Sequence, residues 1–148
     1  MCGILGYIFK NSINFDKKLI IDNFLNLSGR GPDSESFNYY KEKYFIGFCR
    51  LSIIDTSPKG NQPFIYYYDN VRYTCICNGE IYNAESTKKE ILNDMTFNSN
   101  SDCEVLIPLY IKYKEKMFDH LDGVFSFIII VEDGNSIEYF IARDRIGV

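Results

Sequence analysis

Cys2 is the residue whose type and position together could do chemistry. Loss of Met1 would leave one residue carrying both a thiol and a free α-amine. Such an amine has an ordinary pKa of about 7.7–8.0, so a sizeable share is neutral base near neutral pH. It can take the thiol proton directly or through water, as the terminal amine does for N-terminal threonine nucleophiles. A histidine base is then unnecessary, and His120 is the only histidine in the chain. It sits in Phe118-Asp119-His120-Leu121, which reads as a helix end and suits a structural or surface histidine. Position alone also fits a small residue following an initiator methionine, so Cys2 gains meaning only from its surroundings.

Other chemistries find less support. There are five cysteines but no CxxC, and Cys75 and Cys77 stand two apart in a strand-like run. That spacing puts both on one face as small core residues rather than metal ligands. No GxxxxGK[ST] phosphate loop occurs. An odd cysteine count without framework spacing favours a reducing, cytoplasmic setting. The net charge of −4, with Lys and Arg dispersed, argues against nucleic acid as a partner. The run from Ile4 to Phe9 is too short for a signal sequence, and Val124 to Val131 is far below a membrane span.

The elements that must position Cys2 follow from periodicity. Gly3 to Phe9 predicts a buried strand, and Phe15, Leu19, Ile20, Phe24 and Leu27 recur at helical spacing. Ser28 to Ser34 breaks that pattern as a loop. Two strand-like runs follow, Ser36–Tyr40 and Tyr44–Arg50. Phe64–Tyr68 and Val71–Cys77 flank an Asp69-Asn70 turn. Asn78 to Asn83 is expected to leave that strand, with Asn83 capping a short helix to about Leu92. Ser101 and Glu104 form a capping-box pattern ahead of a helix that Pro108 should kink. Val124–Glu132 and Ser136–Arg143 surround an Asp133-Gly134-Asn135 turn. Strands outnumber helices, and their near-continuous apolar character suggests sheets covered on their faces. Its 148 residues suffice for one domain with a substantial core.

Seven segments stand in an order that resembles a known family. Met1-Cys2-Gly3-Ile4 with Arg30-Gly31-Pro32-Asp33-Ser34 resembles the class II, N-terminal-nucleophile glutamine amidotransferases. Arg50-Leu51-Ser52-Ile53-Ile54-Asp55, Asn78-Gly79-Glu80-Ile81-Tyr82-Asn83 and Ser101-Asp102-Cys103-Glu104 narrow this to the glutaminase domain of asparagine synthetases. Leu121 to Phe127 and Arg143-Asp144-Arg145-Ile146-Gly147 continue the match across the chain. The resemblance implies an α+β fold, a four-layer αββα sandwich with the nucleophile opening a central strand, over a domain spanning residues 1–148.

It also implies roles that the chemistry accommodates. Arg50 would clamp the α-carboxylate of L-glutamine, where a planar bidentate donor meets a planar acceptor. Asp102 would pair with the α-ammonium, Leu51, Ser52, Ile53 and Ile54 would line the amino-acid site, and Glu80 would complete it. The Asn78 amide and the Gly79 N–H would form the oxyanion hole. Glutamine would be hydrolysed to glutamate and ammonia through a thioester on Cys2, with no metal or cofactor. ATP and Mg²⁺ are expected only in a synthetase domain, on the same or a separate chain, which would use the ammonia to amidate activated aspartate. The glutaminase domain itself is expected to be cut short at its C-terminal end.

Two positions depart from the family's common pattern: Gly29 and Phe48 stand where histidine is frequent. Two alternatives stay open from the sequence. One is another class II amidotransferase, although Arg30-Gly31-Pro32-Asp33 differs from the Arg-Gly-Tyr-Asp and Arg-Gly-Gln-Asp runs of enzymes acting on sugar phosphates and purine precursors. The other is a degenerate glutamine-binding fragment without turnover.

Overall fold

The computed structural model describes residues 2–9, 16–40, 43–134 and 136–147. Seven strands are present among them: β1 Gly3–Ile8, β2 Ser34–Tyr40, β3 Tyr44–Arg50, β4 Phe64–Tyr68, β5 Val71–Ile81, β6 Gly123–Asp133 and β7 Ser136–Arg143. Three α-helices accompany them: α1 Lys17–Leu25, α2 Ala84–Glu90 and α3 Leu106–Tyr113. The strands form two antiparallel sheets, one ordered β1-β3-β2 and the other β4-β5-β6-β7.

Alternation of side chains along each strand sorts the apolar residues into three groups. Ile20 and Phe24, four apart on α1, pack with Phe45 and Cys49 on one face of β3. Tyr44, Ile46 and Phe48 on its other face meet Ile76 of β5 and Ile130 of β6. The opposite face of β5 and β6, with Cys75, Cys77, Phe127 and Ile129, packs under Leu106, Leu109 and Leu92. Every residue of β3 is buried, as a middle strand covered on both sides must be. Fully burying one such side chain, Phe24 for instance, stabilises the fold by about 1.5–3 kcal/mol.

At one end of the space between the sheets, a polar cluster spans the gap. Glu132 accepts from the Tyr44 hydroxyl at 3.0 Å and from Arg72 at 2.5 Å. Burial, then the neighbouring Glu132 charge, pushes the Tyr44 hydroxyl well above its ordinary range. Cys2 lies at the other end, just before β1, whose Gly3 pairs with Cys49 near the exit of β3.

Several sequence expectations hold and others are corrected. The Asp69-Asn70 turn forms with both residues at positive φ, as a tight hairpin requires. Cys75 and Cys77 are buried core residues. Asn78 to Ile81 does not leave the strand. β5 runs to Ile81 because β6 pairs with it residue for residue, from Arg72 opposite Glu132 to Ile81 opposite Gly123. Asn83 stands at the N-cap of α2 without a side-chain cap. Its amide instead donates to the His120 carbonyl and accepts from the Asp122 N–H, both at 3.0 Å.

The capping box at Ser101 and Glu104 is likewise absent. Glu104 is buried, and its carboxylate accepts from the Tyr66 hydroxyl and from the Asn98 and Ser99 N–H groups. Pro108 is the third residue of α3, in the first turn, where its missing N–H costs no intrahelical bond. Helix α1 ends at Leu25, short of Leu27. Phe15 and Asn135, which the sequence assigned to a helix and a turn, lie outside the described residues. No helix among the described residues is long and apolar enough to cross a membrane.

Candidate active site

The cavity around Cys2 is built from both sheets. Leu51, the first residue beyond β3, donates its N–H to Cys2 Sγ at 3.3 Å, and its carbonyl accepts the thiol at 3.6 Å. Arg30 Nε donates to the Cys2 carbonyl at 3.1 Å. The Asp33 N–H bonds to the Arg50 carbonyl, and Asp33 Oδ2 accepts from the Ser52 N–H at 2.7 Å. A side chain at Gly31 would collide with the Cys49 carbonyl, so only glycine lets the segment lie this close to β3. The Arg-Gly-Pro-Asp run therefore fixes the Cys2 backbone at one end and the loop after β3 at the other.

Arg50 closes β3 with its side chain buried. Its Nη1 donates to the Ser57 carbonyl at 2.8 Å and to Asn61 Oδ1 at 2.7 Å, and its Nη2 donates to the Asp55 carbonyl. A guanidinium carries five N–H donors. Three are used here, and the remaining two, on Nε and Nη2, have no acceptor among the described residues and are available to a carboxylate. Asp55 joins the loops on either side of the cavity: Oδ1 accepts from the Ser57 N–H and Oδ2 from the Asn100 N–H, each at 2.8 Å. Hydrogen bonds from Ser57, then from Asn100, hold its carboxyl below the ordinary range.

The opposite wall is the end of β5, beyond the reach of β4. Strand β4 starts at Phe64, opposite Cys75. The next edge-facing residue, Cys77, pairs with the buried side chain of Gln62: its N–H donates to Oε1 at 2.5 Å, and its carbonyl accepts from Nε2 at 3.1 Å. Four residues on, the Ile81 N–H donates to Asp102 Oδ2 at 2.6 Å. Backbone groups alternate edges with period two. The Gly79 N–H therefore points to this same edge, where no acceptor faces it among the described residues. A side chain at Gly79 would collide with the Val124 carbonyl of β6. The Cys103 thiol donates to the Gly79 carbonyl at 3.6 Å.

Of the residues singled out from the sequence, Cys2, Arg50, Leu51, Ser52, Ile53, Ile54, Gly79, Glu80 and Asp102 all line this one cavity. Ile53, Ile54 and Glu80 are exposed at its rim. Asn78 is not part of its wall. Strand alternation turns its side chain to the face that carries Ile76, where its Oδ1 is buried without a partner among the described residues. Phe48 lines the cavity floor, and Gly29 is exposed. His120 packs against Tyr113 with the rings tilted and their centroids 4.3 Å apart, and it is not in the cavity lining. No group of three or more His, Cys, Asp or Glu side chains among the described residues is arranged to hold a metal ion.

Sequence reading missed Gln62, Asn61 and the bridging role of Asp55. Gln62 meets Cys77 across 15 positions and Asp55 meets Asn100 across 45, so no local pattern announces either contact.

The glutamine amidotransferase domain family matches residues 1–148. An asparagine synthetase (glutamine-hydrolysing) 3 of Bacillus subtilis (strain 168) is 39% identical over 151 residues, covering 100% of this chain and 24% of that protein. A root asparagine synthetase (glutamine-hydrolysing) of Pisum sativum is 37% identical over 149 residues, again 100% of this chain and 24% of that protein. The chain thus spans about a quarter of the length of these relatives. Among solved structures, the glutamine phosphoribosylpyrophosphate amidotransferase of B. subtilis, complexed with ADP and GMP, superimposes with a TM-score of 0.59 at 26% identity. The match covers 71% of this chain and 24% of that one. With a whole-length family match and a cysteine-lined cavity flanked by an arginine and an aspartate, the chain belongs to the class II glutamine amidotransferases.

Proposed function

We propose that this domain hydrolyses L-glutamine to glutamate and ammonia, with Cys2 as nucleophile after removal of Met1. The observation that carries the reading is the convergence, in one cavity, of the Cys2 thiol, the two unused donors of Arg50, Asp102 and the edge-facing Gly79 N–H. Glutamine lies with its α-carboxylate on Arg50 and its α-ammonium on Asp102, whose Oδ1 has no donor among the described residues. The α-amine of Cys2 takes the thiol proton, and Sγ attacks the side-chain carboxamide carbon. The resulting oxyanion is held by the Gly79 N–H. The Asn78 amide joins it once its side chain turns toward the cavity. The protonated amine gives its proton to departing ammonia. It then accepts one from the water that cleaves the thioester and releases glutamate.

None of these steps draws on a metal or cofactor. The three apolar groups, one under α1, one between the sheets and one under α2 and α3, support a four-layer αββα arrangement. Similarity to glutamine-hydrolysing asparagine synthetases supports a role in asparagine formation, and the five free cysteines accord with a reducing, cytoplasmic setting. There, a partner synthetase domain holding ATP and Mg²⁺ would use the ammonia on activated aspartate.

The test supplies the purified chain with glutamine, aspartate, ATP and Mg²⁺ and assays glutamate and asparagine separately. Glutamate without asparagine, abolished by Cys2→Ala, is the expected outcome. Asparagine formed by this chain alone would overturn the division of labour, and release of neither product would favour a non-catalytic glutamine-binding domain.

A further inference from the structure

Resting on the glutaminase reading, we infer that Gln62 is a positioning residue that prepares the Gly79 N–H for the oxyanion. Beyond Phe64 of β4, the edge of β5 would ordinarily take another strand residue, and a continued ladder would also cover Gly79. The Gln62 amide replaces that residue. It presents one acceptor and one donor to the two edge-facing groups of Cys77, as the C=O and N–H of a paired strand residue do, and then offers nothing to the next pair. The ladder thus ends in a satisfied pair, one step before Gly79.

Neighbouring contacts hold Gln62 in place. Its own carbonyl accepts from the Ser36 hydroxyl on β2. The preceding Asn61 side chain accepts from Ser34 on β2, at 3.1 Å, and from Arg50 at the end of β3. The two-residue segment therefore ties the sheet that carries Arg50 and supports Cys2 to the strand that carries the oxyanion donor. Gln62 is buried, and both ends of its amide are used, so a shift of Cys77 or of Asn61 is transmitted through it. An oxyanion donor acts through its placement relative to charge that develops only in the transition state. A change at Gln62 should therefore affect turnover more than substrate binding.

The experiment compares wild type, Gln62→Leu and Gln62→Glu in glutamate release. Affinity for glutamine is measured by titration in the Cys2→Ala background, and folding by thermal denaturation. Gln62→Leu should lower kcat by about tenfold or more while the Kd for glutamine moves less than about twofold, the pattern of an interaction lost only in the transition state. Gln62→Glu keeps an acceptor for the Cys77 N–H but sets a carboxylate oxygen against the Cys77 carbonyl, so its kcat should fall as well. If Gln62→Leu does not fold, Gln62→Glu decides alone. Reduced kcat at unchanged Kd supports the inference, and unchanged kcat overturns it. Equal losses in kcat and affinity overturn it as well. Wild type that releases no glutamate overturns the glutaminase reading and this inference together, whereas active wild type with fully active Gln62 variants overturns this inference alone.

Discussion

The sulfur of Cys2 and the backbone of Leu51 face each other, with Leu51 offering its N–H at 3.3 Å and its carbonyl at 3.6 Å to the same Sγ. The backbone of one residue can thus orient the side chain whether the sulfur is donating its proton or has lost it. The contact joins the residue before β1 to the residue after β3, so its geometry follows from the pairing of Gly3 with Cys49.

Cys2 should be the sole site of labelling by a glutamine-like electrophile. Burial pushes the Cys49 and Cys75 thiols up. The Cys103 thiol is pushed up by its hydrogen bond with Cys77 and then by burial. The same hydrogen bond, the largest single influence on Cys77, lowers it, but burial together with the neighbouring Cys75, Asp102 and Cys2 outweighs it and leaves that thiol raised too. Mass spectrometry after labelling should find one adduct, on Cys2 of a chain lacking Met1. An adduct on any of the other four with Cys2 unmodified would exclude the mechanism.

Arg50→Ala and Asp102→Ala should each weaken glutamine binding by about two orders of magnitude or more. Removing one partner of a desolvated charge pair costs about 3–5 kcal/mol. The two variants should differ in stability, because Arg50 also carries three hydrogen bonds to the 55–61 loop. Calorimetric titration reads the affinity and thermal denaturation the stability. Full affinity in a folded variant would remove that residue from the site.

Gly79→Ala should destabilise the fold by about 1–3 kcal/mol, the usual range for a methyl group forced into packed structure. The added carbon would meet the Val124 carbonyl across β5 and β6. Urea denaturation measures the loss, and a variant as stable as wild type would show that β6 moves aside at no cost.

Asp55→Asn should destabilise the protein at neutral pH, and the gap should close in acid. The folded-state pKa of Asp55 lies below its ordinary value of 3.8. The stabilisation is therefore present above that value and is lost as pH falls through the lower, folded-state pKa. Melting temperatures of the two proteins should converge below about pH 4. A difference independent of pH would assign the effect to packing rather than to the carboxylate.

Residue type and order alone pointed to the kind of chemistry and to most of the elements. Cys2 beside a removable Met1, a single histidine at a helix end, and the runs at Arg30, Arg50, Asn78 and Asp102 were legible because residue type and order carry them. The strands were legible too, since apolar runs and the Asp69-Asn70 turn are local signals. Pairing between distant segments decided the rest. Whether Asn78 to Ile81 turns or continues as strand depended on β6, some forty residues further along the chain. Whether Glu104 caps a helix or buries its carboxylate depended on Tyr66 and the loop at Asn98 and Ser99. The open N–H of Gly79 exists only because β4 stops short and a glutamine side chain takes the next place in the ladder. Hydrogen bonds of this kind are set by which backbone groups are left over once the sheets have formed, and a linear pattern does not encode that remainder.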